Sequence, residues 1–250
     1  MDAAQKIRSA VWQVEQLRQA GAQTPGLESA VTTVKHFQST RFAGTYSDLL
    51  AGDRYAAAAR FFLEELYSDK DYAERDSQFS RIAGAMQRFF PQQVVATAVA
   101  LAQLHSLTES LDHAMGQAWL SVADRYDMES AQYVAAWRSV GRRDERESQL
   151  AVVMGIGEEM ARLTRTPGLS LMLKMMRAPA AAAGLSSLQR FLELGFVTFA
   201  KVAQQRNGVE EFLQTIKTRE SALINSLFEA EFSACDLQLR ATLGTGLGAD

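Results

Sequence analysis

The chain has 250 residues, of which 47% are hydrophobic and 22% charged, with a net charge of −3. This globular composition excludes a disordered chain, and the interspersed charges exclude the clustered positive surface that nucleic-acid binding requires. Cys235 is the only cysteine, which excludes a disulfide framework or a thiolate zinc site within the chain and fits a reducing compartment.

The start, Met1-Asp2-Ala3-Ala4-Gln5-Lys6, lacks the basic stretch and apolar run of a signal peptide. The most apolar stretch, Val94 to Leu104, is too short to span a bilayer and contains Gln103. A cytoplasmic protein with no membrane partner is expected.

Helical periodicity runs through the whole chain, and no period-two strand pattern breaks it. The first helix is predicted from about Asp2 to Ala20, with Ile7, Val11, Val14 and Leu17 inward and Gly21 ending it. Thr24-Pro25 reads as a cap followed by proline at the first helical position of a second helix, which ends near Gly44. Asp53 caps a third, and a fourth runs from about Lys70 to Phe90. Pro91 opens a long fifth helix to Ala123, and Asp127 caps a short sixth containing Trp137. The seventh covers Arg143 to Arg165. Thr166-Pro167 repeats the cap-plus-proline start for the eighth, which Pro179 bends or ends. Leu185 to Gln204 and Gly208 to Ala230 complete the set, and 235–250 reads as a flexible tail ending in the stretch Gly244 to Gly248.

Helical phase places several charges on core-facing stripes. Glu65 falls between Phe61 and Phe62 while Glu64 points out. Arg75 lies with Phe79, Ile82 and Met86, and Asp76 is at the stripe edge. His105 and Asp112 flank the stripe of Leu101, Leu104, Leu111 and Met115; Glu109 lies further out and His113 faces away. Arg146 and Gln149 align with Val153, Ile156 and Met160, and Glu220 sits among Phe212, Ile216, Leu223 and Leu227. Buried charges are costly unless paired, so these groups are expected to meet, with Arg75 and Arg146 forming bidentate pairs with Glu65 and Glu220. Two readings stay open: a structural network that fixes helix register, and a polar pocket for an acidic or planar ligand.

His105 and Glu109, spaced i,i+4, share a helix face and with Glu65, Glu220 or Asp112 make a possible ligand set for iron, manganese or zinc. The pair of Glu-x-x-His motifs that a dimetal bundle needs is absent. Gly155-Ile156-Gly157 lacks a preceding strand, so it reads as a close-packing site rather than a dinucleotide fingerprint. Met172, Met175 and Met176 read as core filling. Arg142 and Arg143, with the acids after them, read as a solvated face.

The run Phe61 to Tyr67, FFLEELY, together with Arg75-Asp76, resembles the signature of a bacterial protein family named for that motif. Similar segments follow in order: Leu104 to Leu107 with Leu111-Asp112, Arg146 to Gln149, Met175 to Ala180, Gly184 to Glu193, and Arg219-Glu220. The resemblance covers about Tyr46 to Phe228. Family members continue the first motif with Gly-Pro; here Ser68-Asp69 follows, which implies a different turn. The resemblance brings no activity with it, but it takes in the inward polar residues found from helical phase.

The expectation is an all-α, single-domain bundle of about eight to ten helices over 1–234, with a tail at 235–250. Function is expected to be binding or interaction with a small molecule or protein, centred on Glu65, Arg75, Asp76, His105, Asp112, Arg146, Gln149 and Glu220. The alternative is a metal- or haem-dependent oxidoreductase using His105 with Glu65, Glu109 or Asp112. The sequence specifies neither a cofactor nor an oligomeric state, and leaves catalysis open.

Overall fold

A computed structural model describes residues 1–65, 70 and 72–246. Among these residues the fold is all-α, with thirteen α-helices and no strand. They are α1 (Ala3–Gln23), α2 (Leu27–Thr45), α3 (Ser47–Ala51), α4 (Ala56–Glu65), α5 (Ala73–Phe89), α6 (Gln92–Val122), α7 (Glu129–Val140), α8 (Arg143–Leu163), α9 (Leu169–Met175), α10 (Arg177–Ala182), α11 (Ser186–Ala203), α12 (Gly208–Glu229) and α13 (Phe232–Gly246). A single 3-10 turn, Ala123–Arg125, follows α6. Leu66 and Tyr67 of the FFLEELY run, the Ser68-Asp69 turn after it, and the final residues from Leu247 lie outside the described residues.

The count exceeds eight to ten for local reasons. The chain breaks at Tyr46, which separates α3 from α2, and at Met176, which separates α10 from α9. Pro179 falls in the first turn of α10, where backbone N–H groups have no partner inside the helix. Its ring would clash with the carbonyl of Met175 in a continuous helix, and α9 ends at that residue. The stretch from Cys235, expected to be a flexible tail, instead lies in α13, where Cys235 and Leu239 are buried in a core.

The two Thr-Pro-Gly-Leu segments adopt one shape, different from the cap-plus-proline start expected for them. Gly26 has φ 77° and Gly168 has φ 79°, and the Leu27 and Leu169 N–H groups donate to the Thr24 and Thr166 carbonyls. Proline followed by a glycine at positive φ is a type II turn, so each helix starts at the leucine after it. Leu27 and Leu169 are both buried.

Two compact units are described. The first comprises Met1–Glu15, Lys70–Ser106 and Ala151–Leu213; the second comprises Gln16–Asp69, Leu107–Leu150 and Gln214–Asp250. The divisions within α1, α6, α8 and α12 fall in mid-helix, where no linker composition marks them. The first unit buries Ile7, Ala83, Met86, Ala98 and Ala102 against Phe79 and Ile82, and Leu163, Leu169 and Phe196 against Met160 and Met172. The second buries Val34, Phe37, Met115, Trp119, Tyr133, Trp137, Leu227 and Leu239. By length and composition α6 is apolar enough to cross a membrane, although 44% of its most apolar window is buried inside the protein.

Candidate functional site

In the second unit, α2 presents Leu27, Ala30, Val34, Phe37 and Arg41 along one buried line. The last member is a cation. Arg41 Nη1 donates to Glu220 Oε1 of α12 at 2.6 Å, and the Tyr46 hydroxyl donates to the same oxygen at 2.9 Å. All three side chains are buried. The neighbouring Arg219 holds the same corner from outside: its two terminal nitrogens bond the two oxygens of Asp48 at 2.6 and 2.8 Å, and Nη1 also donates to the Thr45 carbonyl. These bonds hold the Asp48 carboxyl below its usual range. The adjacent Arg219-Glu220 pair therefore clamps the α2–α3 corner.

One turn along α6, Lys35 Nζ donates to Glu109 Oε1 at 2.6 Å and Gln38 Nε2 donates to Asp112 Oδ1 at 3.1 Å. Burial pushes the Asp112 carboxyl up against the opposing pull of Lys35, Arg146 and the Gln38 hydrogen bond; the Glu109 charge pushes the same way as burial. Gln149 Nε2 donates to Thr108 Oγ1 at 2.7 Å.

Tyr133 of α7 joins these groups. Its ring stacks on Phe37 at 4.3 Å between centroids and neighbours Trp137 at 5.9 Å. Burial pushes the phenol up to about 12, while Arg146, Arg41, Asp112 and Glu220 all act on it electrostatically. The Arg146 guanidinium lies 4.2 Å from the centre of the Trp137 ring, a cation–π contact away from bulk water. The Trp137 indole N–H is buried, and no described group accepts a hydrogen bond from it.

The first unit holds a smaller set. Buried Asp76 Oδ2 lies 3.0 Å from His105 Nε2, and the His105 ring meets Tyr72 edge-on at 6.3 Å. Arg75 is sandwiched between Tyr72 and Phe191, 3.9 and 4.5 Å from their ring centres. Gln78 accepts the Leu188 N–H at 2.8 Å, supplying a partner in the first turn of α11.

Seven of the eight expected residues thus fall into two sets. Asp112, Arg146 and Glu220 gather around Tyr133, with Gln149 in the same unit; Arg75, Asp76 and His105 are together in the first. Glu65, half-buried, closes α4. Glu220 pairs with Arg41, which the phase argument did not name, although Arg41 continues the i,i+3,i+4 line of α2 four residues past Phe37. Glu109 is buried rather than outlying, because Lys35 neutralises it. Tyr133 and Trp137 gave no signal: α7 buries Ser130, Ala131, Gln132, Tyr133, Val134, Ala136 and Trp137, so it has no polar face from which to read a phase.

The alternative metal set of His105, Glu109, Glu65 and Asp112 is not assembled. Among the described residues no three His, Cys, Asp or Glu side chains are placed to hold an ion; His105 pairs with Asp76, and Glu109 with Lys35. Met172 packs in the core as expected, but Met175 is exposed.

No curated protein and no solved structure matches this chain. The family model described as "Domain of unknown function (DUF8198)" matches residues 16–234, and the chain belongs to that family.

Proposed function

We propose that this is a non-enzymatic binding protein whose second unit takes a small, planar, acidic ligand beside Trp137 and Arg146. The observation that carries this reading is the buried indole N–H of Trp137, for which no described group is an acceptor. A buried donor left without a partner costs about 1–3 kcal/mol, so natural proteins keep few of them, and those they keep usually serve an ion, a water or a function. Here the Arg146 guanidinium lies over the same indole, 4.2 Å from its ring centre. A carboxylate on a flat body matches both groups: oxygen for the N–H and the cation, an apolar face for the aromatic neighbours. The Arg41–Glu220–Tyr46 and Lys35–Glu109 bonds act as scaffold, fixing α2 and α6 around the ligand position.

The reading carries the finer expectations with it: a bacterial member of the FFLEELY group, working in the reducing cytoplasm that the buried lone thiol of Cys235 fits. The metal or haem oxidoreductase alternative has no observation in its favour, since its residues are committed to other partners.

The test is a thermal-shift screen of the purified full chain against benzoate, salicylate, malonate and succinate. The aromatic carboxylates are expected to raise the melting temperature and the aliphatic ones to do so less. Absence of any shift up to roughly a hundred times a millimolar-range Kd would contradict the reading.

A further inference from the structure

The near-neutral whole chain has an acid-poor stretch in the first unit, flanked by Glu158-Glu159 and Glu210-Glu211. Between residues 162 and 206 there are seven arginines and lysines and one acid, Glu193, a local charge of +6 in a chain of net −3. Glu193 is itself bonded by Arg177 at 2.6 Å, which holds its carboxyl below the usual range. Arg162 is paired with Glu159 at 2.9 Å, and the cations exposed on α9 and α11 are Lys174, Arg190 and Lys201.

The same stretch exposes apolar side chains in register with those cations. On α11, Arg190, Leu194, Val197 and Lys201 follow at i, i+4, i+7 and i+11, one narrow stripe opposite the buried Phe196 and Phe199. Leu194 is 42% and Val197 48% exposed. On α9, Leu171 and Met175 stand one turn apart, 62% and 69% exposed, with Lys174 between them. The Arg177–Glu193 bonds and the Gln189 bond to the Leu173 carbonyl tie α9 and α10 alongside α11. Neighbouring α9 and α11 thus each expose apolar side chains and cations.

We propose that this α9–α11 face docks on an anionic phospholipid surface. Side chains this exposed protrude, whereas those lining a groove for a partner helix would be largely covered. Protruding leucine, valine and methionine flanked by arginine and lysine match the boundary between acyl chains and acidic headgroups. A second copy of the chain would set like charge against like charge. Nucleic acid would give the apolar side chains nothing but phosphate to meet. The expectation of no membrane partner rests on spanning length and on the signal-peptide pattern, neither of which bears on a helix face lying flat on a bilayer. The proposal goes beyond the ligand reading and uses none of the residues of the second unit.

The experiment is co-sedimentation of the full chain with vesicles of phosphatidylcholine alone or with about 30% phosphatidylserine, at about 0.1 and 0.5 M salt. Binding is expected only to the anionic vesicles, falling severalfold at the higher salt. Leu171→Asp with Val197→Asp, and separately Arg190→Glu with Lys201→Glu, are expected to reduce it at least fivefold while the helical signal and melting temperature stay at wild-type values, because all four side chains are exposed. No binding to anionic vesicles at low salt overturns the proposal. So does binding that both double variants retain, capture of an acidic polypeptide such as polyglutamate without vesicle binding, or a concentration-dependent dimer abolished by Val197→Asp.

Discussion

Arg41 and Glu220, 179 residues apart in sequence, meet at 2.6 Å inside the second unit and tie α2 to α12. Breaking one side of such a pair strands a charge, whereas removing both sides need not cost stability. Arg41→Met is expected to lower stability by about 3–5 kcal/mol, and the double change Arg41→Met with Glu220→Leu to recover most of that loss. Tyr46→Phe, which removes only the second donor to Glu220, is expected to cost about 1–2 kcal/mol. Urea denaturation of the four proteins checks this; a double variant as unstable as the single one would mean that packing, not charge pairing, is what Arg41 supplies.

Asp112 sets a pH dependence. Its folded-state pKa lies above the unfolded value because burial disfavours the carboxylate. Folding therefore favours the protonated form: this stabilisation is complete below the ordinary carboxylate range and is lost as pH rises through the elevated folded value. Asp112→Asn keeps an oxygen for Gln38 and never ionises. The variant is expected to melt above wild type at about pH 7, and the gap to close at about pH 3. A gap that is constant with pH would show that Asp112 does not titrate abnormally.

Tyr133 acts at the alkaline end. A phenol moved from 10.0 to about 12 favours the folded state until pH exceeds the unfolded value, and that contribution disappears between the two. Two pKa units correspond to about 2–3 kcal/mol. Tyr133→Phe is therefore expected to flatten the stability loss between about pH 10 and 12, read by denaturant midpoints at each pH. An unchanged slope would place the phenol in water.

Two glycines of α8 separate packing from propensity. A Cβ on Gly157 would stand 2.5 Å from Leu213 Cδ2, while one on Gly155 meets nothing within 4 Å. Gly155→Ala is expected to gain up to about 1 kcal/mol from helix propensity. Gly157→Ala gains the same but overpacks the contact with Leu213, typically costing about 1–3 kcal/mol. Thermal denaturation should rank Gly155→Ala above wild type and above Gly157→Ala; the reverse order would contradict the close approach of α8 and α12.

The pair also shows what could be read from the sequence. Gly155-Ile156-Gly157 signals close packing, but only coordinates say that Gly157 alone makes it. Helical class followed from periodicity, and burial of Asp112, Arg146 and Glu220 from helical phase. Partner identity did not follow, because phase fixes which way a side chain points and not which helix it meets: Glu220 pairs with Arg41 on α2, and Asp76 with His105 on α6. Lys35 was invisible for a related reason, since its long stem reaches Glu109 from the edge of the α2 stripe. The Thr-Pro-Gly-Leu segments depart from a cap-plus-proline start because the glycine after each proline takes the positive φ of a type II turn.

The ligand reading is tested most directly at Trp137 by isothermal titration of benzoate into the wild-type chain and into Trp137→Phe. That change keeps an aromatic ring beside Arg146 and deletes the buried N–H. Wild type is expected to bind with measurable heat and the variant at least roughly tenfold more weakly, the loss of one hydrogen bond to a charged acceptor. Equal binding by both proteins, or none by either, would contradict a ligand site at this indole.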